Sequence, residues 1–317
     1  MVRRTKKTII LNIEGYKHNI RFFGTNPSAP VIISLHGGPG GCDRYFMRNM
    51  QKHFAGFNVV CWDQLGSGCS FRCNILKEDM NITRFVRDLD TIVDYIRNYF
   101  NRDKLILLAH SWGTIIGSIY ACEHPNKISL FISCGHLVNA RIAEEISYSN
   151  LYRIIKDSKD LKTLRTIGRP INGLYTSTNN RIKKMRLNQK YRGSIYQITD
   201  ENRRTVGIDV GILTEYSFIN IVRYIKGMNF SWNCLKNELM NIDITDFMRR
   251  ITVPTHLFAG RYDNVTPQEP VLQCLKSISN DNIKYHVIED ASHSPHFEKP
   301  VEFFDELIRI AKERGVI

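Results

Sequence analysis

The sequence predicts an α/β fold: a mostly parallel central sheet with an N-terminal antiparallel hairpin and an inserted helical cap. Three observations carry this. Short apolar runs at 31–35, 58–62, 105–109 and 128–134 alternate with helical patterns, the rhythm of a parallel sheet with crossover helices. From about Gly135 to Asp246 strand-like runs vanish and helical periodicities take over. The sheet rhythm then returns at Thr255–Gly260 and Ile283–Ile288.

Taken in order, Thr8–Glu14 and Lys17–Phe23, joined at Gly15-Tyr16, read as a hairpin. Val31–Leu35 is a buried strand running into His36-Gly37-Gly38-Pro39-Gly40, and a helix is expected over about 45–54. Asn58–Trp62 is the next strand, ending in Asp63-Gln64-Leu65-Gly66-Ser67-Gly68-Cys69-Ser70. Ile82, Phe85, Leu89, Ile92, Val93, Ile96 and Phe100 recur at helical spacing and give an amphipathic helix. Leu105–Ala109 is a strand, followed by His110-Ser111-Trp112-Gly113 and a helix of small and β-branched residues. In the cap, helical patterns fall at 140–156, 180–191, 199–206 and 213–228, and a closing helix is expected over 300–314. The implied organisation is a core domain of residues 1–135 and 247–317 with a cap at 136–246, placed where open α/β sheets bind ligands.

Bulk properties narrow the class. The 317 residues suit one α/β domain with an insertion. No apolar stretch reaches the ~18 to 20 residues of a membrane span. The basic start, Met1–Lys7, is followed by an apolar run too short for a signal peptide, so a cytoplasmic protein is expected. Eight scattered cysteines lack the pattern of a disulfide framework or a zinc site, so free thiols and no metal are expected. The net charge of +13 raises the question of nucleic acid, but no recognition signature accompanies it. No cofactor is expected, the partner is a small-molecule or short-peptide substrate, and oligomeric state is open.

Acyl transfer needs a hydroxyl nucleophile, an imidazole to carry its proton, a carboxylate to orient that imidazole, and donors for the oxyanion. Ser111 stands on a sharp strand-to-helix turn, A-x-S-x-G, which exposes the hydroxyl ahead of a helix N-terminus. Asp263 follows one strand by three residues, and His293 follows the last strand in a short loop. Taken alone, each fits a bland reading: a serine in a tight turn, an aspartate in a turn, a loop histidine. Their order at successive strand ends favours nucleophile, carboxylate and base. His110 should point away from the face of Ser111, and His296 begins what looks like the closing helix, so His293 is the expected base. The backbone N–H groups of Gly38 and Trp112 are the expected oxyanion donors.

These residues resemble the α/β-hydrolase superfamily, and within it the proline iminopeptidase-like group of serine peptidases. The resemblance is carried by His36-Gly37-Gly38-Pro39-Gly40, by Asp63–Ser70 against that group's D-Q-R-G-x-G-x-S, by Ser111-Trp112-Gly113, by Gly260-Arg261-Tyr262-Asp263 and by Ser292-His293-Ser294-Pro295-His296-Phe297-Glu298. It spans about 8–134 and 247–314. It implies release of an N-terminal residue, often proline, from peptides or small amides without metal or cofactor, with glutamates of the cap holding the substrate amine. The sequence departs from the group at Leu65, where an arginine is usual, at Ala109, where glycine is usual, and in the cap, which aligns with no motif.

The cap's charge bears on that amine. Residues 137–246 hold 18 Lys/Arg and 11 Asp/Glu, and 161–199 hold nine basic residues and no acid. A cationic wall repels an ammonium group unless carboxylates line the pocket; Glu201 and Glu215 are the candidates, with solvated helix faces as the plainer reading. Trp232, Phe230 and Tyr216 are candidate aromatic walls or core residues. The same machinery is compatible with a carboxylesterase or lactonase acting on a neutral or acidic ester, and the scaffold alone with a non-catalytic binding protein.

Overall fold

The computed structural model describes residues 7–24, 26–54, 56–200, 202–206, 212–213 and 215–317. Strands β1 (Lys7–Ile13) and β2 (Tyr16–Phe23) form the hairpin, turning at Glu14 and Gly15, which both have positive φ. They are followed by β3 (Val31–Leu35), β4 (Asn58–Asp63), β5 (Leu105–His110), β6 (Ile128–Cys134), β7 (Thr255–Gly260) and β8 (Ile283–Ile288). The sheet order is β1-β2-β4-β3-β5-β6-β7-β8. β1, β2 and β4 pair antiparallel; every pairing from β4 to β8 is parallel. β3 and β4 are buried along their whole length, as expected of parallel strands covered on both faces.

Helix α1 (Arg44–Asn49) lies between β3 and β4, α2 (Ile82–Phe100) between β4 and β5, and α3 (Trp112–Glu123) between β5 and β6. Helix α2 starts where the Asn81 side chain accepts from the Arg84 N–H, and stops at Asn101 in the left-handed region. Its apolar stripe joins the core with α3, and the opposite face of the sheet packs against Met47, Phe303, Phe304 and Leu307.

The interval between β6 and β7 is helical: α4 (Ala140–Ile154), α5 (Ser158–Ile167), α6 (Thr178–Lys190), α7 (Arg203–Val206), α8 (Phe218–Asn241) and α9 (Thr245–Arg250). Asn139, Asp157, Ser177 and Ser217 cap four of these through side-chain oxygens. A small cluster of Tyr148, Leu151, Ile155, Leu164, Ile167 and Leu187 holds α4, α5 and α6 together. Helix α8 runs back over the loop after β4, where Ser231 donates to the Gly66 carbonyl at 3.1 Å. After β7 come α10 (Gln268–Ile278), then β8, α11 (Pro295–Glu298) and α12 (Pro300–Glu313). No helix among the described residues is long and apolar enough to cross a membrane.

Candidate active site

Ser111 sits between β5 and α3 with φ 53° and ψ −121°, a conformation costly for any residue with a Cβ. The surroundings enforce it. The Ser111 N–H donates to the Cys134 carbonyl at 3.0 Å, and the Ser111 carbonyl accepts from Thr114 N at 2.8 Å and Thr114 Oγ1 at 2.6 Å. A Cβ at Gly113 would collide with the Leu35 carbonyl, so the turn needs glycine to pass the end of β3. Gly117, one turn further, leaves space for Ala109: a Cβ there would lie 3.2 Å from the Ala109 methyl, which is how alanine substitutes for the expected glycine. Ser111 Oγ makes no hydrogen bond to the described residues, an open geometry familiar at such sites before substrate arrives.

His293 and Asp263 arrive from the loops after β8 and β7. His293 Nδ1 lies 3.0 Å from Asp263 Oδ2, with 12% and 0% of the two side chains exposed. The other carboxylate oxygen accepts from the N–H groups of Val265 and Thr266 at 2.8 and 2.9 Å, and Thr266 Oγ1 donates to Oδ2 at 2.7 Å. A carboxylate held by so many donors has one orientation. The His293 ring packs against Gly135, next to the residue that bonds Ser111, and its centroid is 4.8 Å from that of His110. Three loops thus meet at one edge of the sheet.

Behind them stands a buried polar frame. Trp112 Nε1 donates to Gln64 Oε1 at 2.9 Å, Gln64 Nε2 donates to the His36 carbonyl at 3.1 Å, and the Gln64 N–H donates to His36 Nε2 at 3.1 Å. One glutamine therefore joins the serine turn to the glycine-rich loop. Glu298 does the same for the histidine loop: Oε1 accepts from Ser292 and Ser294 N–H at 3.0 Å each, and Oε2 from Tyr196 N–H at 2.7 Å. Burial raises the Glu298 pKa, while those N–H donors oppose the rise. Burial likewise lowers His110 to about 3 and His36 to about 4, keeping both neutral. His110 is engaged through Nε2 with the His293 carbonyl at 3.1 Å.

A cavity of about 180 Å³ opens over Ser111, floored by Gly38, Ser111 and Trp112 and roofed by α4, α6 and α8 through Glu144, Arg181, Lys184 and Trp232. Gly38 has φ +140°, and a Cβ on it would strike the N–H groups of Gly40 and Gly41. Glycine is thus required at this position, and Gly38, Ser111 and Trp112 line the cavity together. Such an arrangement can receive a carbonyl carbon at Ser111 and stabilise its developing oxyanion. A larger cleft of about 740 Å³ lies at the opposite ends of the strands, near Pro30, Lys104, Ile128 and Pro254, and no histidine or cysteine lines it.

The alpha/beta hydrolase fold model matches residues 30–300. The chain belongs to the α/β-hydrolase fold family. Among relatives of this hydrolase, "Probable aminopeptidase YbaC" of Bacillus subtilis (strain 168) is 28% identical over 95% of both chains. "Proline iminopeptidase" of Heyndrickxia coagulans is 25% identical, covering 92% of this chain and 94% of the relative. Solved structures share the fold: VinJ, with a TM-score of 0.73 at 21% identity over 97% of this chain and 98% of that one, and proline iminopeptidase from Mycobacterium smegmatis, with 0.71 at 16% identity over 98% and 99%. The chain is proline iminopeptidase-like.

The helices between β6 and β7 depart from the sequence reading. Glu215 does not line the Ser111 cavity: it lies before α8, with its side chain 2% exposed, bonded to Arg21 Nε at 2.8 Å and near Arg48 at 3.5 Å. Glu201 lies outside the described residues. The acid that does line the cavity is Glu144, which sequence reasoning missed. It is bound to Lys184 at 2.5 Å and accepts from Tyr175 Oη at 2.7 Å. Of the aromatic candidates only Trp232 faces the cavity. Tyr216 is buried beside Cys42 and Asp63, and Phe230 packs on Phe71.

Proposed function

We propose that the protein is a serine hydrolase that releases an N-terminal residue from short peptides or amides through an acyl-enzyme, in the manner of a proline iminopeptidase. What supports this most is the His293–Asp263 pair, whose histidine packs on Gly135 beside the residue that bonds Ser111, together with the roofed cavity lined by Gly38, Ser111 and Trp112. Ser111 Oγ attacks the scissile carbonyl while His293 takes its proton. His293 returns that proton to the leaving amine, and the collapse of the tetrahedral species leaves the acyl group on Ser111. Water then attacks the ester, giving its proton to His293, and Ser111 departs protonated. Asp263 holds the ring so that Nε2 is the working nitrogen. Gly38 and Trp112 N–H groups stabilise the oxyanion in both halves.

No metal or cofactor enters this scheme. The names of the relatives support an amine-bearing substrate, and Glu144 is the carboxylate that lines the Ser111 cavity. Its bond to Lys184 favours a second reading, an ester or amide without a free amine. Turnover of prolyl- and alanyl-p-nitroanilide beside p-nitrophenyl acetate separates the two: the peptidase reading predicts higher kcat/KM for the aminoacyl anilides than for their N-acetylated forms, and equal or better use of blocked substrates would overturn it.

A further inference from the structure

The charged groups roofing the cavity differ in what they are bonded to. Lys184 is satisfied by Glu144 at 2.5 Å and Ser147 Oγ at 2.7 Å, so that its charge is matched. Glu144 is in turn occupied by Lys184 and Tyr175. Arg181 is left over. Its guanidinium lies 4.1 Å from the centre of the Trp232 ring, its Nε is buried without an acceptor among the described residues, and its Nη1 donates only to the weak acceptor Met185 Sδ at 3.6 Å among those residues. The roof thus carries one positive charge more than its carboxylate balances.

A guanidinium stacked on an indole keeps its planar edge free, and that edge fits a carboxylate with two parallel hydrogen bonds. Burying such a donor without an acceptor is costly, and a ligand that supplies one recovers the cost. The stack also fixes the direction of the edge, because a flat cation on a flat ring has little freedom to tilt.

We propose that Arg181 is a specificity-determining residue that selects substrates bearing a carboxylate close to the scissile bond, either the free C-terminus of a dipeptide or the second acid of a short dicarboxylic ester. The inference rests on the reading of Ser111 as nucleophile only in placing the reacting carbonyl. Its test does not need turnover. Calorimetry on the Ser111→Ala protein measures prolylglycine against prolylglycinamide, and monomethyl glutarate against dimethyl glutarate. Binding of the acid tighter than its neutral twin by roughly tenfold or more in either pair is expected, a span typical of one desolvated charge pair. The first pair points to a peptide, the second to an acidic ester. In Ser111→Ala/Arg181→Gln that preference should collapse toward unity, and Arg181→Lys should restore part of it.

No acid preference in either pair, or a preference that survives Arg181→Gln, would overturn the proposal. Should Arg181→Gln fail to fold, the folded Arg181→Lys protein decides: a preference as large as that of the parent overturns it, and a reduced one supports it. Failure of Ser111 to react with a fluorophosphonate would instead count against the catalytic reading, leaving these binding ratios to stand or fall by themselves.

Discussion

The indole N–H of Trp112 is bonded to the Gln64 side chain at 2.9 Å, and the same amide reaches the His36 carbonyl at 3.1 Å. All three residues are buried, so the serine turn and the glycine-rich loop are held together by a link that water does not weaken. Gln64→Leu leaves the indole N–H and the His36 carbonyl unpaired, at a cost of about 1–3 kcal/mol each. Reduced thermal stability and a fall in kcat of at least tenfold with little change in KM are expected. Steady-state kinetics with a calorimetric melt check this, and a variant with parental kcat would contradict it.

Glu298 organises the histidine loop through three N–H bonds. Glu298→Gln replaces one acceptor oxygen by a donor and must abandon at least one of those bonds. The expected result is a lower kcat with His293 less well aimed, together with slower labelling of Ser111 by a fluorophosphonate. Unchanged labelling kinetics would show that the loop holds without it.

Glu215 and Arg21 of β2 form a buried ion pair, and removing the carboxylate leaves the guanidinium buried without its counter-charge. Glu215→Ala should destabilise the fold by about 3 kcal/mol, read by urea unfolding. Because Glu215 lies off the Ser111 cavity, kcat/KM of the folded variant should change by less than about threefold. A large rise in KM with unaltered stability would reassign it to the substrate.

Acid should unfold the protein through its buried histidines. Burial holds His18, His110 and His136 near pKa 3 and His36 and His256 near 4, against about 6.5 when free. The unfolded chain therefore binds protons that the folded one refuses, and stability present above pH 6.5 is lost as pH falls toward 4. Asp43 and Asp88 act the other way: burial pushes each up to about 7, so below pH 7 the folded form keeps protons that the unfolded chain releases until about 4. Burial also lowers His286 and His296 and raises Asp63, Glu238 and Glu298, so seven histidines stand against five carboxylates and the histidines still outweigh them. Stability should drop by a few kcal/mol, on the order of 1.4 per net proton per pH unit, between pH 6.5 and 5. Chemical denaturation across that range checks it, and a flat or rising curve would contradict it.

What the sequence made legible followed from periodicity and punctuation. The buried strands, the hairpin and the long stripe of α2 stand within a residue or two of their expected places, because apolar runs and caps such as Asn81 are local signals. The expected 213–228 helix begins instead at Ser217, whose hydroxyl accepts from Asn220 N–H, and it runs on to Asn241. That shift removes Glu215 from the helix and delivers it to Arg21. Helix α5 was hidden among basic residues on a mostly exposed surface. Glu144 and Arg181 were not legible because spacing gives a helix a face but does not say which face meets the sheet edge. Gln64 read as part of a turn; only its three-dimensional partners reveal that it frames the site. Leu65, where the resembling group carries arginine, is wholly buried in the core and asks for no charge partner.

The most direct measurement is mass spectrometry of the intact protein after treatment with a fluorophosphonate, followed by peptide mapping. A single adduct on Ser111, absent from Ser111→Ala and strongly slowed in His293→Ala, is the predicted result. A folded protein that takes up no adduct, or one that is labelled equally well without Ser111, would contradict the catalytic role given to this turn.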